Sequence, residues 1–197
     1  MADELTPDYW SERYQTARTG WDLGGANTGL IGAFTTYVRP GARVLIPGAG
    51  RGHEAEALWR RGYREVYVCD WAEEAFVTLR RSAHLPADDR LLVGDFFGLD
   101  GPFDAILEQT FFCAIDPGQR DRYVVHCATL LSPGGRWIGV LFDRDFEDGP
   151  PFGGSEAEYR ERFAPHFDIE LLGRFGASVG PRAGRELLGV MTVKQKV

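Results

Sequence analysis

Short apolar runs alternate along this chain with segments whose apolar positions recur at helical spacing, and the alternation begins near residue 43. Arg43 to Ile46 reads as a first strand, and the helix after it carries Ala55, Leu58 and Trp59 on one face before Gly62 stops it. Glu65 to Cys69 is nearly all apolar, as expected of a parallel strand covered on both faces. A helix from about Ala72 to His84, ended by Pro86, leads to a short strand from Leu91 to Val93. Phe103 to Glu108 is a fourth strand, and the next helix, from about Pro117 to Leu131, starts with proline at an early position. It closes before Ser132-Pro-Gly-Gly135, and Arg136 to Phe142 makes a fifth strand.

The alternation then changes. Ser155-Glu-Ala-Glu158 is a capping box opening a helix to about Phe163, after which Phe167 to Leu172 and Glu186 to Val193 read as two strands with no helix between them. Adjacent strands joined by a Gly-rich loop pair antiparallel. The pattern predicts an α/β, Rossmann-like fold: a seven-stranded, mostly parallel sheet with one antiparallel strand and helices on both faces. The whole chain, 1–197, reads as one domain, its core at 41–197 preceded by a helical segment at 1–40. In that segment Thr6-Pro-Asp-Tyr9 is a good helix start, and a second helix covers Gly29 to Val38. Between them, Trp10, Tyr14 and Trp21 make the chain too aromatic for a simple polar loop. These rings either fold over a crevice as a lid that excludes water or fill a satellite core; spacing alone does not choose.

The candidate chemistry sits where the first strand ends. Arg43-Val-Leu-Ile-Pro-Gly-Ala-Gly-Arg-Gly-His-Glu54 is an apolar strand followed by three closely spaced glycines, and the second strand ends in Asp70. Glycines let the backbone turn tightly against a ligand, and an acid at the next strand end can accept hydrogen bonds from both hydroxyls of a ribose. A dinucleotide loop has a third glycine where this chain has His53. The G-x-G-x-G spacing instead suits S-adenosylmethionine, which has no pyrophosphate. A nicotinamide or flavin site, or glycines that merely serve the turn, stay open at this point. Ligands in open α/β sheets bind beyond the carboxyl ends of the strands, which gathers Gly48 to Gly52, Asp70, Asp95 and Glu108 to Phe112 around one crevice.

Composition narrows the partners. A chain of 197 residues is short for a nucleotide domain plus a separate catalytic domain. With a net charge of −7 and no basic face, nucleic acid is not expected as a substrate. Met1-Ala-Asp-Glu-Leu5 lacks an apolar signal core and no apolar run is long enough to span a bilayer, which predicts a cytoplasmic protein without a membrane partner. Cys69, Cys113 and Cys127 lack pairing spacing, so reduced thiols are expected, and the four scattered histidines predict no metal site.

Several segments together resemble the thiopurine methyltransferase family, and most closely its halide, thiocyanate and thiol methyltransferase branch. They are Tyr9-Trp-Ser-Glu-Arg-Tyr-Gln15 with Thr19-Gly-Trp-Asp22, Val44 to His53, Gly94-Asp-Phe-Phe97, and Gln109-Thr-Phe-Phe-Cys-Ala-Ile115. Asp148-Gly-Pro-Pro-Phe152 and Arg182-Ala-Gly-Arg-Glu-Leu-Leu188 extend the likeness over nearly the whole chain. The resemblance implies the class I methyltransferase fold and S-adenosylmethionine as cofactor. It places Trp10 against the cofactor from the lid and Trp21 at the boundary between cofactor and acceptor. It sets Gly48 and Gly50 at the methionine end, Asp70 on the ribose, and Asp95 with Phe96 on the adenine. Gln109 stands near the methionine carboxylate, where relatives carry Tyr or Arg.

The chemistry so implied is displacement at the sulfonium methyl by a small, soft nucleophile: a thiol, sulfide, thiocyanate or halide. Sulfonium is a strong leaving group, so positioning supplies much of the acceleration and no covalent enzyme intermediate is required. Trp21, Phe111 and Phe112 are candidate walls of a partly dry acceptor pocket, the phenylalanines having core packing as their alternative role. Arg120 is a candidate for attracting an anionic acceptor, against an exposed surface arginine. Glu108 is a candidate for taking a thiol proton or holding the cofactor's amino group, and Cys113 reads as a buried inert thiol. Selenium or tellurium compounds, a small nitrogen or oxygen acceptor, or a cofactor-binding domain without turnover are the competing readings. Oligomeric state is not readable from the sequence.

Overall fold

The computed structural model describes residues 5–82 and 88–195. Seven strands form one sheet: β1 (Val44–Pro47), β2 (Val66–Asp70), β3 (Leu91–Val93), β4 (Phe103–Gln109), β5 (Leu131–Phe142), β6 (Phe167–Arg174) and β7 (Glu186–Val193). Their order is β3-β2-β1-β4-β5-β7-β6. The first five run parallel, and β7 lies antiparallel between β5 and β6. This is the arrangement that the strand pattern predicts.

Both faces of the sheet are covered because neighbouring strand residues point to opposite sides. Val44 and Ile46 join one apolar cluster, and Leu45 joins the other. Helices α2 (Thr28–Tyr37) and α3 (His53–Arg60) cover the first face with Leu30, Ile31, Phe34, Ala55 and Leu58. Helices α4 (Arg120–Leu130) and α5 (Glu156–Phe163) cover the second with Tyr123, Cys127, Leu130, Tyr159 and Phe163. The expected caps are in place. Thr6 accepts from the Tyr9 N–H ahead of α1 (Pro7–Gln15), and Ser155 accepts from the Glu158 N–H ahead of α5.

Three expectations need correction. The helix foreseen from Ala72 to His84 is not α-helical: two 3-10 turns, Glu73–Val77 and Leu79–Arg81, take its place, and His84 and Pro86 lie outside the described residues. Neither turn has a side-chain cap, and the β-branched pair Val77-Thr78 lies at their junction. Ser132-Pro-Gly-Gly135 does not precede β5 but lies within it, as a detour between the Leu131–Phe103 and Arg136–Ala105 pairings. Trp59 is only partly buried, with the Arg64 guanidinium 4.6 Å from its ring centroid.

Candidate functional site

A cavity of about 450 Å³ opens at the carboxyl ends of the parallel strands. Its cofactor side starts at the turn after β1. Gly48 and Gly50 both adopt positive φ, +54° and +55°. A Cβ on Gly48 would stand 2.3 Å from the Phe111 ring, so the loop and this ring are in intimate contact. A Cβ on Gly50 would stand 3.4 Å from the Tyr14 hydroxyl and 3.8 Å from Trp21 Nε1, so that position faces the aromatic segment instead.

Asp70 ends β2 and lines the cavity. Oδ2 accepts from the Gly50 N–H at 3.0 Å and Oδ1 from the Ala72 N–H at 3.0 Å, so the acid ties the glycine loop to its own strand end. Burial raises its pKa to about 6, against the pull of these amides. A carboxylate has about four acceptor positions, so these amides leave acceptor capacity for a hydroxyl donor. Beyond β3, Asp95 Oδ1 accepts from the Phe97 N–H at 3.0 Å, and the buried Phe96 faces the cavity. Phe96 is held edge-on by Phe111 and His126, and His126 Nε2 lies 2.9 Å from the Phe96 carbonyl oxygen.

The aromatic N-terminal segment closes the cavity from above. Trp10, Tyr14 and Trp21 all line it, with Trp21 at the centre of two edge-to-face contacts, 5.5 Å to Trp10 and 5.6 Å to Tyr14. Burial pushes the Tyr14 hydroxyl above its ordinary pKa, so it stays protonated. Tyr14 also packs against the apolar cluster beneath, so the segment is at once cavity wall and core packing. On the opposite flank, Arg182 Nη2 donates to the Trp21 carbonyl at 2.7 Å, joining the β6–β7 loop to the lid.

The acceptor-side candidates are sorted by the structure into wall and support. Phe111 lines the cavity, whereas Phe112 does not: it is 1% exposed and packs on Tyr123, Tyr159 and Phe163. Arg120 is neither in the cavity wall nor on the surface. It is 3% exposed, bonded to Glu158 Oε1 and the Gly153 carbonyl at 2.8 Å each, and sits over the Phe112 ring. Gln109 also stands outside the wall, with its amide Oε1 buried and without a hydrogen-bond partner. Glu108 is fully buried; Oε1 accepts from the N–H groups of Phe111 at 2.7 Å and Phe112 at 3.1 Å, which fixes the turn after β4 rather than reaching the cavity. Burial raises its pKa to about 7. Cys113 lines the cavity, but burial pushes its thiol well above the ordinary range.

Other wall residues escaped the motif reading. Trp71 follows Asp70, and Phe142, Arg144 and Phe146 follow or end β5. Arg144 lies over Phe146 at 4.3 Å and Arg182 over Phe142 at 5.7 Å, so two of the arginines that line the cavity stand each on a phenylalanine; Arg13, Arg18, Asp70, Asp95 and Asp116 line it as well. Arg182 is backed by Glu186 at 3.9 Å, both being almost fully buried. Their position beyond strand ends was the available signal. No group of His, Cys, Asp and Glu among the described residues is suited to hold a metal ion.

A buried acid at a strand end, a glycine turn and aromatic walls around one cavity suit a nucleoside cofactor, and the comparisons name its class. The family model described as thiopurine S-methyltransferase matches residues 5–197. The chain belongs to the thiopurine S-methyltransferase family. Among curated members, it is 32% identical over 200 residues to a probable thiol methyltransferase 2 of Arabidopsis thaliana, covering 96% of this chain and 86% of that protein. It is 27% identical over 190 residues to thiocyanate methyltransferase 1 of Brassica oleracea, covering 91% and 82%. The fold matches that of a Burkholderia thailandensis 1,6-didemethyltoxoflavin-N1-methyltransferase crystallised with S-adenosylhomocysteine. The TM-score is 0.75 at 23% identity, over 98% of this chain and 88% of that one. This family member is a methyltransferase that uses S-adenosylmethionine. No helix among its described residues is long and apolar enough to cross a membrane.

Proposed function

We propose that this methyltransferase acts on a small, soft, anionic nucleophile: a thiolate, hydrosulfide, thiocyanate or halide. The observation that carries the reading is the pair Arg144 on Phe146 and Arg182 on Phe142, facing one cavity in a chain of net charge −7. A guanidinium is weakly hydrated and holds its charge throughout the accessible pH range. Mounted on an aromatic ring beside apolar walls, it attracts an anion without restoring a full water shell, and a partly desolvated soft anion is the more reactive nucleophile.

Asp70 would hold the ribose hydroxyls, Asp95 and Phe96 the adenine, and Gly48 and Gly50 would let the backbone pass close to the methionine end. Bound there, S-adenosylmethionine supplies a methyl group on a positively charged sulfur. The rings of Trp10, Trp21 and Phe111 would favour such a cation through their π-faces and exclude water around it. Arg182 has a double task on this reading: one nitrogen steadies the lid through the Trp21 carbonyl while its charge faces the acceptor. Its charge, with that of Arg144, also stabilises a thiolate over its thiol. Phe112 and Arg120 are supporting residues rather than wall residues, and the placement of Gln109 does not favour a contact with the cofactor.

The names of the plant relatives, a probable thiol and a thiocyanate methyltransferase, favour the same acceptor class. Headspace gas chromatography of incubations with S-adenosylmethionine and iodide, thiocyanate, sulfide or methanethiol tests it directly. Volatile methyl products are expected, with Arg182→Gln raising KM for thiocyanate by roughly tenfold, as for the loss of one charge-assisted contact. Turnover of a neutral nitrogen or oxygen acceptor, with none of these, would overturn the proposal.

A further inference from the structure

The lid is fastened to the core at points other than Arg182: Gln15 Nε2 donates to Glu74 Oε1 at 2.6 Å, and Asp22 makes a contact next to Trp21 itself. Asp22, the residue after Trp21, places Oδ2 2.7 Å from Arg51 Nε and Oδ1 2.9 Å from His53 Nε2. Arg51 belongs to the glycine loop, and His53 is the first residue of α3. The same Oδ1 accepts from the Gly24 N–H at 2.8 Å, so the carboxylate also shapes its own loop. The Asp22 side chain is 16% exposed, with Arg51 and His53 at 30% and 22%. Such a cluster is shielded enough to matter more than a free surface pair.

None of the three side chains lines the cavity; all three meet at the junction between lid and loop, and Arg51 Nη1 also donates to Thr78 Oγ1 at 3.3 Å. Trp21, by contrast, lines the cavity and stands over Gly50. Trp21 is therefore pinned by Arg182 through its own carbonyl and by Asp22 through the residue that follows it. The lid residues Trp10, Tyr14 and Trp21 cover the crevice in which the glycine loop and Asp70 lie, so a ligand held there leaves when the lid lifts. Lifting it separates Asp22 from both Arg51 and His53.

We infer that Asp22 is a positioning residue that latches the aromatic lid to the glycine loop, holding the Trp21 indole over the cofactor and setting the rate at which the cofactor product escapes. The inference rests on the cofactor and not on the proposed acceptor, and its test contains no acceptor.

The dissociation rate of S-adenosylhomocysteine, followed by stopped-flow tryptophan fluorescence on displacement, reads the latch. Asp22→Asn and Arg51→Met should each raise that rate roughly tenfold, as expected for losing a partly buried charge-assisted contact, with a smaller change in the association rate. The double variant should release the ligand little faster than either single one, because both substitutions open the same contact. The thermal midpoint of the ligand-free protein should fall by only a few degrees, which separates a latch from a general structural role. An unchanged dissociation rate in Asp22→Asn overturns the inference. So does a double variant whose effect is the product of the two single effects, since Arg51 would then act on the ligand independently. Should Asp22→Asn fail to fold, Arg51→Met tests the same contact from the core side.

Discussion

Alanine at Gly48 and alanine at Gly50 should have different consequences, although the two glycines share a loop and nearly the same φ. An L-residue in the left-handed region costs about 1–2 kcal/mol, which applies to both positions. At Gly48 the new methyl would also meet Phe111 at 2.3 Å from Cδ2, 2.7 Å from Cγ and 2.8 Å from Cβ. These atoms are the root of the side chain, not a mobile end. The Phe111 N–H is held by Glu108, and its ring packs on Phe96 and Tyr123 at 5.3 and 5.9 Å, so it has little room to retreat. Overpacking of this kind adds about 1–3 kcal/mol, which brings Gly48→Ala to about 2–5 kcal/mol of folding free energy. At Gly50 the nearest atom is the Tyr14 hydroxyl at 3.4 Å, an ordinary contact, and the loss should stay near 1–2 kcal/mol. There the methyl enters the gap between loop and lid, so its larger effect should be on ligand affinity. Urea denaturation of the ligand-free variants, paired with calorimetric titration of S-adenosylhomocysteine, separates the two. Equal destabilisation by both substitutions would refute the argument that Phe111 is wedged against Gly48.

Burial raises the Asp70 pKa from 3.8 to about 6, so between those values the folded, ligand-free protein binds this proton more tightly than the unfolded chain does, and acid favours folding at this site. Ribose hydroxyls prefer the ionised acid, so S-adenosylhomocysteine affinity should weaken roughly tenfold per pH unit below about 6, and Asp70→Asn, weaker throughout, should lose that dependence; a parallel pH profile in the variant would exclude Asp70. Glu108 rises from 4.5 to about 7 through burial, so its contribution to stability declines as pH rises across that interval and its full cost is present above about 7. At ~1.4 kcal/mol per tenfold change in proton affinity the decline is about 3 kcal/mol, and Glu108→Gln should flatten the stability profile between pH 5 and 8 in chemical denaturation; an unchanged slope would contradict this. Arg120→Ala leaves a buried gap and removes the bonds to Glu158 and the Gly153 carbonyl, while Glu158 keeps Arg162 at 2.9 Å; it should destabilise by about 1.5–3 kcal/mol, while the folded fraction keeps its S-adenosylhomocysteine affinity within about twofold, and a selective loss of affinity would return Arg120 to the site.

The strands were legible because a parallel sheet buried on both faces requires continuous apolar runs, and each run was found within a few residues of its position. The turn region after β2 was not. Ala72, Ala75, Phe76 and Leu79 are all buried, and their spacing is what an α-helix would also bury, so periodicity could not reveal the tighter 3-10 winding. Likewise, Gly and Pro at Ser132 to Gly135 signal a break, and a bulge within a strand uses the same residues. That Gly48, Asp70 and Phe96 would meet at one cavity was readable because a single local segment places each. Arg120 was not, since its partner Glu158 is 38 residues away. Arg182 was hidden for the same reason: the carbonyl it holds lies 161 residues distant.

The strand order reverses between β1 and β4, and this seam runs through the middle of the cavity. Gly48, Asp70, Trp71, Asp95 and Phe96 reach it from one side. Cys113, Phe142, Arg144, Pro150 and Arg182 reach it from the other. The second group hangs on segments that follow β4 and β5 or join β6 to β7, none of which carries a hydrogen bond to Asp70. Those segments can therefore change in length or composition while the nucleoside half keeps its geometry. Phe111, resting on Gly48 and packed edge-on against Phe96, stitches the two halves together. On the proposed assignment, grafting residues 143–155 and the β6–β7 loop from a relative should exchange the acceptor while the methyl donor keeps its seat.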